Sequence, residues 1–194
     1  MRTAKVARKT NETQISAALN LDGSGSFFAD VPIGFLKHML NLFTRHGFFD
    51  LKLKVAGDTE IDGHHTVEDT GIVLGQALKE ALGDRAGIRR YGNATVPMDE
   101  ALAACSIDLS GRPYLHFEAV FTTPRLGEMD TELIKEFFQA FCTSGGFNLH
   151  IKVEHGENNH HIAEAIFKAF GRALSEAVSL DERVQGVLST KGSL

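Results

Sequence analysis

The chain has 194 residues, 43% of them hydrophobic, with 25 acidic against 20 basic side chains and a formal net charge of −5. That length is enough for one domain or two small halves sharing a core, while the acidic balance argues against a nucleic-acid partner and the lack of any run of eighteen apolar residues argues against a membrane span. Two cysteines, Cys105 and Cys142, are too few for a disulfide framework, which points to a reducing cytosol and a cytoplasmic protein.

The first ten residues, MRTAKVARKT, are basic but carry no apolar stretch, so they do not read as a secretory signal. TQISAALNL follows as a strand that ends at the Gly-rich turn DGSGS. GFLKHMLNLFTRHG then has the spacing of a helix, with Gly47 as its stop. DLKLKV alternates apolar and polar residues, the pattern of a strand with one wet face. After a turn, HHTVEDTGIVLGQALKEAL places Val67, Ile72, Leu74, Leu78 and Leu82 at helical spacing. Farther along, ACSIDLSG and YLHFEAVF read as strands, and TELIKEFFQAFCTSGG as a helix that stops at Gly145. NLHIKV is another alternating strand, and the next helix carries Ile162, Ile166, Phe167, Phe170 and Leu174. The tail DERVQGVLSTKGSL is polar and reads as extended.

These elements repeat. Val55 and Val153 are 98 apart, and His64 and His160, Glu68 and Glu164, Gly75 and Gly171, and Leu78 and Leu174 are each 96 apart, the second turn being two residues shorter. The chain is therefore read as an internally duplicated two-layer α/β unit of the α+β type: a mostly antiparallel sheet with helices on one face. The junction falls near residues 88–95, which gives halves 1–92 and 93–194 of one functional domain.

Nine histidines are the unusual entry in the composition. Adjacent histidines on a helix point about 100° apart, so the two rings of an HH pair cannot easily serve one ion. His64 and Glu68 are i and i+4 on one face, as are His160 and Glu164, while His65 and His161 point elsewhere. Two metal ions follow: one takes His64, Glu68 and His161, the other His160, Glu164 and His65. The repeat also relates His38 to Glu136, both on the upstream helix of their half, as a further ligand for each site. Imidazole with carboxylate suits Mn, Fe, Zn or Ni, and the carboxylates tilt the choice toward the harder ions.

The other histidines have plainer readings. His150 lies on the polar face of its strand, His116 alternates within YLHFEAVF, and His155 sits in a turn. His46, near a helix end, fits a dipole partner or a substrate contact. Cys105 and Cys142 read as small core residues. A basic and polar group, Arg89 and Arg90 in GIRRYG, Arg112 in SGRPYL and Ser189, Thr190 and Lys191 in LSTKG, has the chemistry of a phosphate-monoester site, although solvated surface charges look the same in sequence.

Taken in order, GFLKHML, DGHHTVEDTGIVLGQAL, MDEAL, DLSGRPYL, HHIAEAIFKAFGRAL and STKG closely resemble the imidazoleglycerol-phosphate dehydratase family, from about Ala7 to Leu194. The resemblance implies a carbon–oxygen lyase of histidine biosynthesis that dehydrates imidazole glycerol phosphate to imidazole acetol phosphate, with two Mn2+ per active site. It also implies half-domains like those of a small-subunit ribosomal protein, and a homo-oligomer of 24 chains built from trimers, with active sites between neighbouring subunits. The family's ligands fall on His38, His65, His160 and Glu164 at one site, and on His64, Glu68, Glu136 and His161 at the other. Several relatives carry histidine where this chain has Glu136, whose charge would change that site's metal preference. Substrate contacts fall on Glu12, His46, Arg90, Arg112, Lys168, Ser189, Thr190 and Lys191, and Asp99 lies where an imidazole partner is expected.

The chemistry supplies a mechanism for this reaction. The proton lost from the glycerol chain is not acidic, but a metal on the ring favours the imidazolate, which expels the hydroxyl from its adjacent carbon. The diazafulvene-like intermediate acidifies the neighbouring C–H, and Glu164 or Glu12 moves the proton. Two competing readings remain at this level. A two-metal hydrolase would hold its ions about 3.5–4 Å apart, and a metal-stapled assembly protein would close its sites to substrate.

Overall fold

The computed structural model describes residues 1–192 of the chain. Each half contributes a four-stranded sheet. The first contains β1 (Thr3–Lys9), β2 (Thr13–Asn20), β3 (Phe27–Asp30) and β4 (Asp50–Gly57), in the order β1-β2-β4-β3. The second contains β5 (Tyr91–Met98), β6 (Ala101–Asp108), β7 (Tyr114–Glu118) and, beyond the Arg125–Leu126/Met129–Asp130 hairpin (β8 and β9), β10 (Asn148–His155), in the order β5-β6-β10-β7. Both orders are the same once each half is numbered from its own start, and in both the pairs are antiparallel except the last, β3 with β4 and β7 with β10. The expected duplicated α+β unit is the observed architecture.

Four helices lie between the sheets: α1 (Gly34–Gly47), α2 (His64–Leu82), α3 (Leu133–Gly145) and α4 (Asn159–Val178). Helices α1 and α2 cover the first sheet and α3 and α4 the second, while α1 packs on α4 and α2 on α3 across the halves. Apolar residues at period two along β2 (Ile15, Ala17, Leu19) and β4 (Leu51, Leu53, Val55) face the helices, and the alternate residues Gln14, Ser16, Lys52 and Lys54 face outward. At the centre the rings of Phe43 and Phe170 stack at 5.2 Å between centroids, and Phe141 meets both edge-on, so one core joins the two repeats.

Several details differ from the sequence expectation. The first ten residues contain a strand, β1, whose alternation is carried only by the small residues Ala4 and Val6 between lysines. Strands β3 and β5 were unread, as was the β8–β9 hairpin; β5 includes Gly92 and Pro97, which a sheet edge tolerates. Gly47 and Gly145 do end their helices, but the left-handed caps are the following residues, Phe48 and Gly146. YLHFEAVF keeps its strand only through Glu118. The tail is not extended: it turns at Asp181–Arg183 and again at Ser189–Gly192, where the Gly192 N–H donates to Ser189 O. His155 ends β10 and does not lie in a turn. Both cysteines are buried thiols, as expected, and burial pushes their pKa values up.

Candidate active site

The sites sit where helices start. Asn158 caps α4, its side-chain oxygen accepting from the N–H groups of His160 and His161 at 2.9 and 3.3 Å. That cap holds the HH pair in the first turn, with ring centroids 6.4 Å apart and planes at 83°, so the two imidazoles diverge. His64 and His65 open α2 with the same divergence, 6.1 Å and 88°.

On one side of the divergence, His160 joins His38 of α1 and Glu164 of α4. Glu164 Oε1 lies 2.9 Å from His38 Nε2 and 3.1 Å from His160 Nε2. Among the described residues these three form the one group of His, Cys, Asp or Glu donors whose ligand atoms all lie within 4.8 Å of one another. Packing of α1 on α4 brings them together, and the His160 ring is held edge-on by Phe35 at 5.3 Å. Burial pushes the Glu164 carboxyl up, but Lys168 Nζ at 2.7 Å and the two imidazoles outweigh it and hold the group at about 2. Two imidazole nitrogens and an anionic oxygen aimed at one point are a donor set for a first-row divalent ion.

The duplicate arrangement is looser. His64 Nε2 and Glu68 Oε2 are 3.9 Å apart, and Glu136 lies in the first turn of α3, the helix packed on α2. Among the described residues, no third donor here closes to the spacing of the first group.

His65 and His161 point away from both groups. His65 Nδ1 lies 3.0 Å from Asp58 Oδ2, with Glu12 Oε1 3.9 Å from its Nε2. His161 Nδ1 lies 2.7 Å from Glu100 Oε2, with Asp99 Oδ2 3.8 Å from its Nε2. The carboxylates raise both imidazoles above their ordinary pKa, through Asp58 for His65 and Glu100 for His161. In return the His161 hydrogen bond, with those from the backbone, holds Glu100 at about 2. Asp99 is in the left-handed region at φ 47° in the two-residue β5–β6 turn, which aims Asp99 and Glu100 at His161. Sequence reasoning singled out Glu12 and Asp99 but missed Asp58 and Glu100. The repeat of the hairpin carried the signal for Glu100.

His46, near the end of α1, has its pKa lowered by burial first and then by Lys168 and Arg172. A separate groove of about 880 Å³ is lined by Arg90, Arg112, Arg183, Ser189, Thr190 and Lys191. Arg90 binds Asp108 through Nε and Nη2 at 2.7 and 3.1 Å and donates through Nη1 to Leu188 O at 2.7 Å. It therefore fastens the tail to the sheet and keeps one N–H on each terminal nitrogen for a ligand. Arg89 instead faces Glu176 and Asp181 at 3.6 and 3.9 Å. His116 and His150 stack on each other at 5.5 Å on the outer face of the second sheet, away from these groups.

A family model described as imidazoleglycerol-phosphate dehydratase matches residues 31–174. The chain is 62% identical over 193 residues to a protein of that description from Lachnoclostridium phytofermentans, covering 100% of this chain and 98% of the relative. It is 58% identical over 191 residues to one from Clostridium botulinum strain Langeland, covering 98% and 97%. Among solved structures, the imidazoleglycerol-phosphate dehydratase of Staphylococcus aureus subsp. aureus N315 matches with a TM-score of 0.82 at 40% identity, over 92% of this chain and 99% of that one. The Pyrococcus furiosus structure, in complex with (S)-C348, gives 0.83 at 37% identity, over 97% and 100%.

Proposed function

The chain belongs to the imidazoleglycerol-phosphate dehydratase family of hydro-lyases in histidine biosynthesis, and from that premise we propose that it dehydrates imidazole glycerol phosphate at a site holding two manganese ions. The observation that carries the reading is the convergence of His38, His160 and Glu164 on one point. His65 completes that ligand set, and His64, Glu68, Glu136 and His161 form the other. Within one chain His65 and His161 lie outside the two groups, which supports sites shared between subunits of a homo-oligomer, 24 chains built from trimers. The halves 1–92 and 93–194 act as one unit, since the site draws His38 from one and His160 and Glu164 from the other.

Bound divalent ions would supply Lewis acidity that stabilises negative charge on the imidazole ring. The chain's own residues do the rest. Elimination removes a proton from one glycerol carbon and hydroxide from its neighbour, and the enol so formed becomes the ketone. Glu164 and Glu12 are the carboxylates for the proton transfers, and Asp99 accepts a hydrogen bond from the ring. Lys168 neutralises Glu164 and, with His46, contacts the substrate. Arg112, Ser189, Thr190 and Lys191, with the free N–H groups of Arg90, bind the phosphate and fix the chain's orientation, which lowers the barrier by proximity.

The test is an assay for imidazole acetol phosphate on purified protein before and after exhaustive chelation. Turnover that disappears with EDTA and returns with Mn2+, at two ions per chain, supports the reading. Full turnover without bound metal overturns it.

A further inference from the structure

We infer that Asp58 and Glu100 are positioning residues that fix the ring tautomer of His65 and His161, the two histidines that point away from the chain's own ligand groups. The inference rests on the two-metal reading above and deepens it.

A carboxylate can only accept, so Asp58 Oδ2 at 3.0 Å and Glu100 Oε2 at 2.7 Å require a proton on each Nδ1. The lone pair is then on Nε2, the nitrogen left for a metal. On that side the nearest carboxylates stand off, Glu12 at 3.9 Å and Asp99 at 3.8 Å, beyond hydrogen-bond reach. His65 and His161 thus share one design: a carboxylate grips Nδ1, and Nε2 keeps its lone pair with a second carboxylate within 4 Å. Metal-bound histidines commonly have their other ring nitrogen held in this way.

The repeat reaches the design by two routes. The β1–β2 and β5–β6 hairpins correspond at an offset of 88, Thr3 pairing with Asn20 as Tyr91 pairs with Asp108, so Glu12 and Glu100 are equivalent positions. Yet Glu12 stands at the Nε2 side of its histidine and Glu100 grips Nδ1. Asp58, just past β4, corresponds to Gly156 just past β10. A Cβ at Gly156 would lie 2.6 Å from Ile162 Cγ1 and 3.0 Å from Ala101 Cβ, so a side chain there would have to displace Ile162. The second half therefore takes its grip from the hairpin. Glu100 Oε1 also accepts from the N–H groups of Asn158 and Glu157 at 2.8 and 3.3 Å, tying the hairpin to the loop before α4. The other Asp58 oxygen is buried, and among the described residues His65 is the one hydrogen-bond partner of this carboxylate.

The experiment titrates Mn2+ into chelator-stripped full-length protein, with free Mn2+ read by electron paramagnetic resonance, for wild type, Asp58→Ala, Asp58→Asn and Glu100→Ala. Circular dichroism checks the fold. Each alanine variant should weaken one of the two ions by about 10–100-fold, and Asp58→Asn, which keeps an acceptor, should recover most of the loss. Two ions held at wild-type affinity by both alanine variants would overturn the inference, as would an asparagine variant no better than alanine. If Glu100→Ala does not fold, the Asp58 pair decides. A wild-type chain that takes up no manganese would overturn the two-metal reading itself, a result distinct from unchanged variants.

Discussion

Gly75 of α2 and Gly171 of α4 stand at matching positions of the two halves, each against a phenylalanine backbone carbonyl of the helix that crosses it. A Cβ at Gly75 would lie 2.5 Å from Phe141 O, and one at Gly171 would lie 2.6 Å from Phe43 O. Both contacts are with backbone, which cannot swing aside. The Gly171 crossing sets the distance between α1 and α4, and hence between His38 and Glu164. Gly171→Ala should therefore destabilise the chain by about 1–3 kcal/mol and also weaken metal uptake, read by denaturant unfolding of the metal-free protein and by metal titration. A fully stable Gly171→Ala with wild-type affinity would show that the helices can part without disturbing the ligands.

The repeated positions were legible because duplication copied them together: the strands at Asp50 and Asn148, the HH pairs, Glu68 and Glu164, and these two glycines. Alternation in DLKLKV and NLHIKV survived because leucine, isoleucine and valine carry it. Strand β1 was lost to view because alanine and valine between lysines give too weak a contrast, and β5 because glycine and proline resemble a turn. Asp58 and Glu100 were missed for another reason. Asp58 lies in the turn before α2 and Glu100 in the β5–β6 turn, 61 positions from His161, so neither shares an element with its partner; only the hairpin repeat, through Glu12, pointed to Glu100. The looseness of the His64–Glu68 side was equally invisible, since spacing in sequence fixes a shared face and not the 3.9 Å gap between side chains.

Glu164 is where the metal reading meets the chemistry. Its Oε1 takes both imidazoles and its Oε2 takes Lys168. Glu164→Gln keeps the shape and removes the charge. Turnover should fall by at least about 10²–10⁴-fold, the usual worth of a positioned proton-transfer group, as measured by product formation at saturating Mn2+. Metal content must be measured on the same sample. An unchanged rate with both ions bound would exclude the residue from the reaction.

Acid stability depends in part on Asp50, which belongs to neither ligand group. Its carboxylate accepts from the Ser24 and Ser26 N–H groups at 2.8 and 3.0 Å and from the Asn20 side chain at 3.2 Å, which closes the turn between β2 and β3. The Ser24 backbone bond is the largest of the influences that hold its pKa below the ordinary 3.8. A depressed folded-state pKa gives stability that is present above the unfolded value and lost as pH falls through the folded one. Asp50→Asn should therefore flatten the stability profile below about pH 4 and leave its slope near pH 7 unchanged. Denaturant midpoints between pH 3 and pH 7 read this directly, and parallel profiles for the two proteins would refute it.

The proposed phosphate site can be separated from the proposed metal site by where the kinetic loss falls. Arg112 and Lys191 line the groove formed by the tail, while Arg90 is bound through all three nitrogens to Asp108 and Leu188 O. Arg112→Ala and Lys191→Ala each remove one charge-assisted hydrogen bond, worth about 1.5–3 kcal/mol, so kcat/KM should fall by roughly 10–150-fold. If the clamp contributes equally to substrate and transition state, the loss falls on KM and inorganic phosphate becomes a weaker competitor. Asp108→Ala should act differently: it frees Arg90 and loosens the tail that presents Ser189, Thr190 and Lys191 together. Its expected signature is a fall in kcat as well as a rise in KM, because orientation and binding are lost at once. Steady-state kinetics of the three variants with phosphate inhibition decide between the two roles, and an Asp108→Ala effect confined to KM would reduce Arg90 to one more phosphate contact.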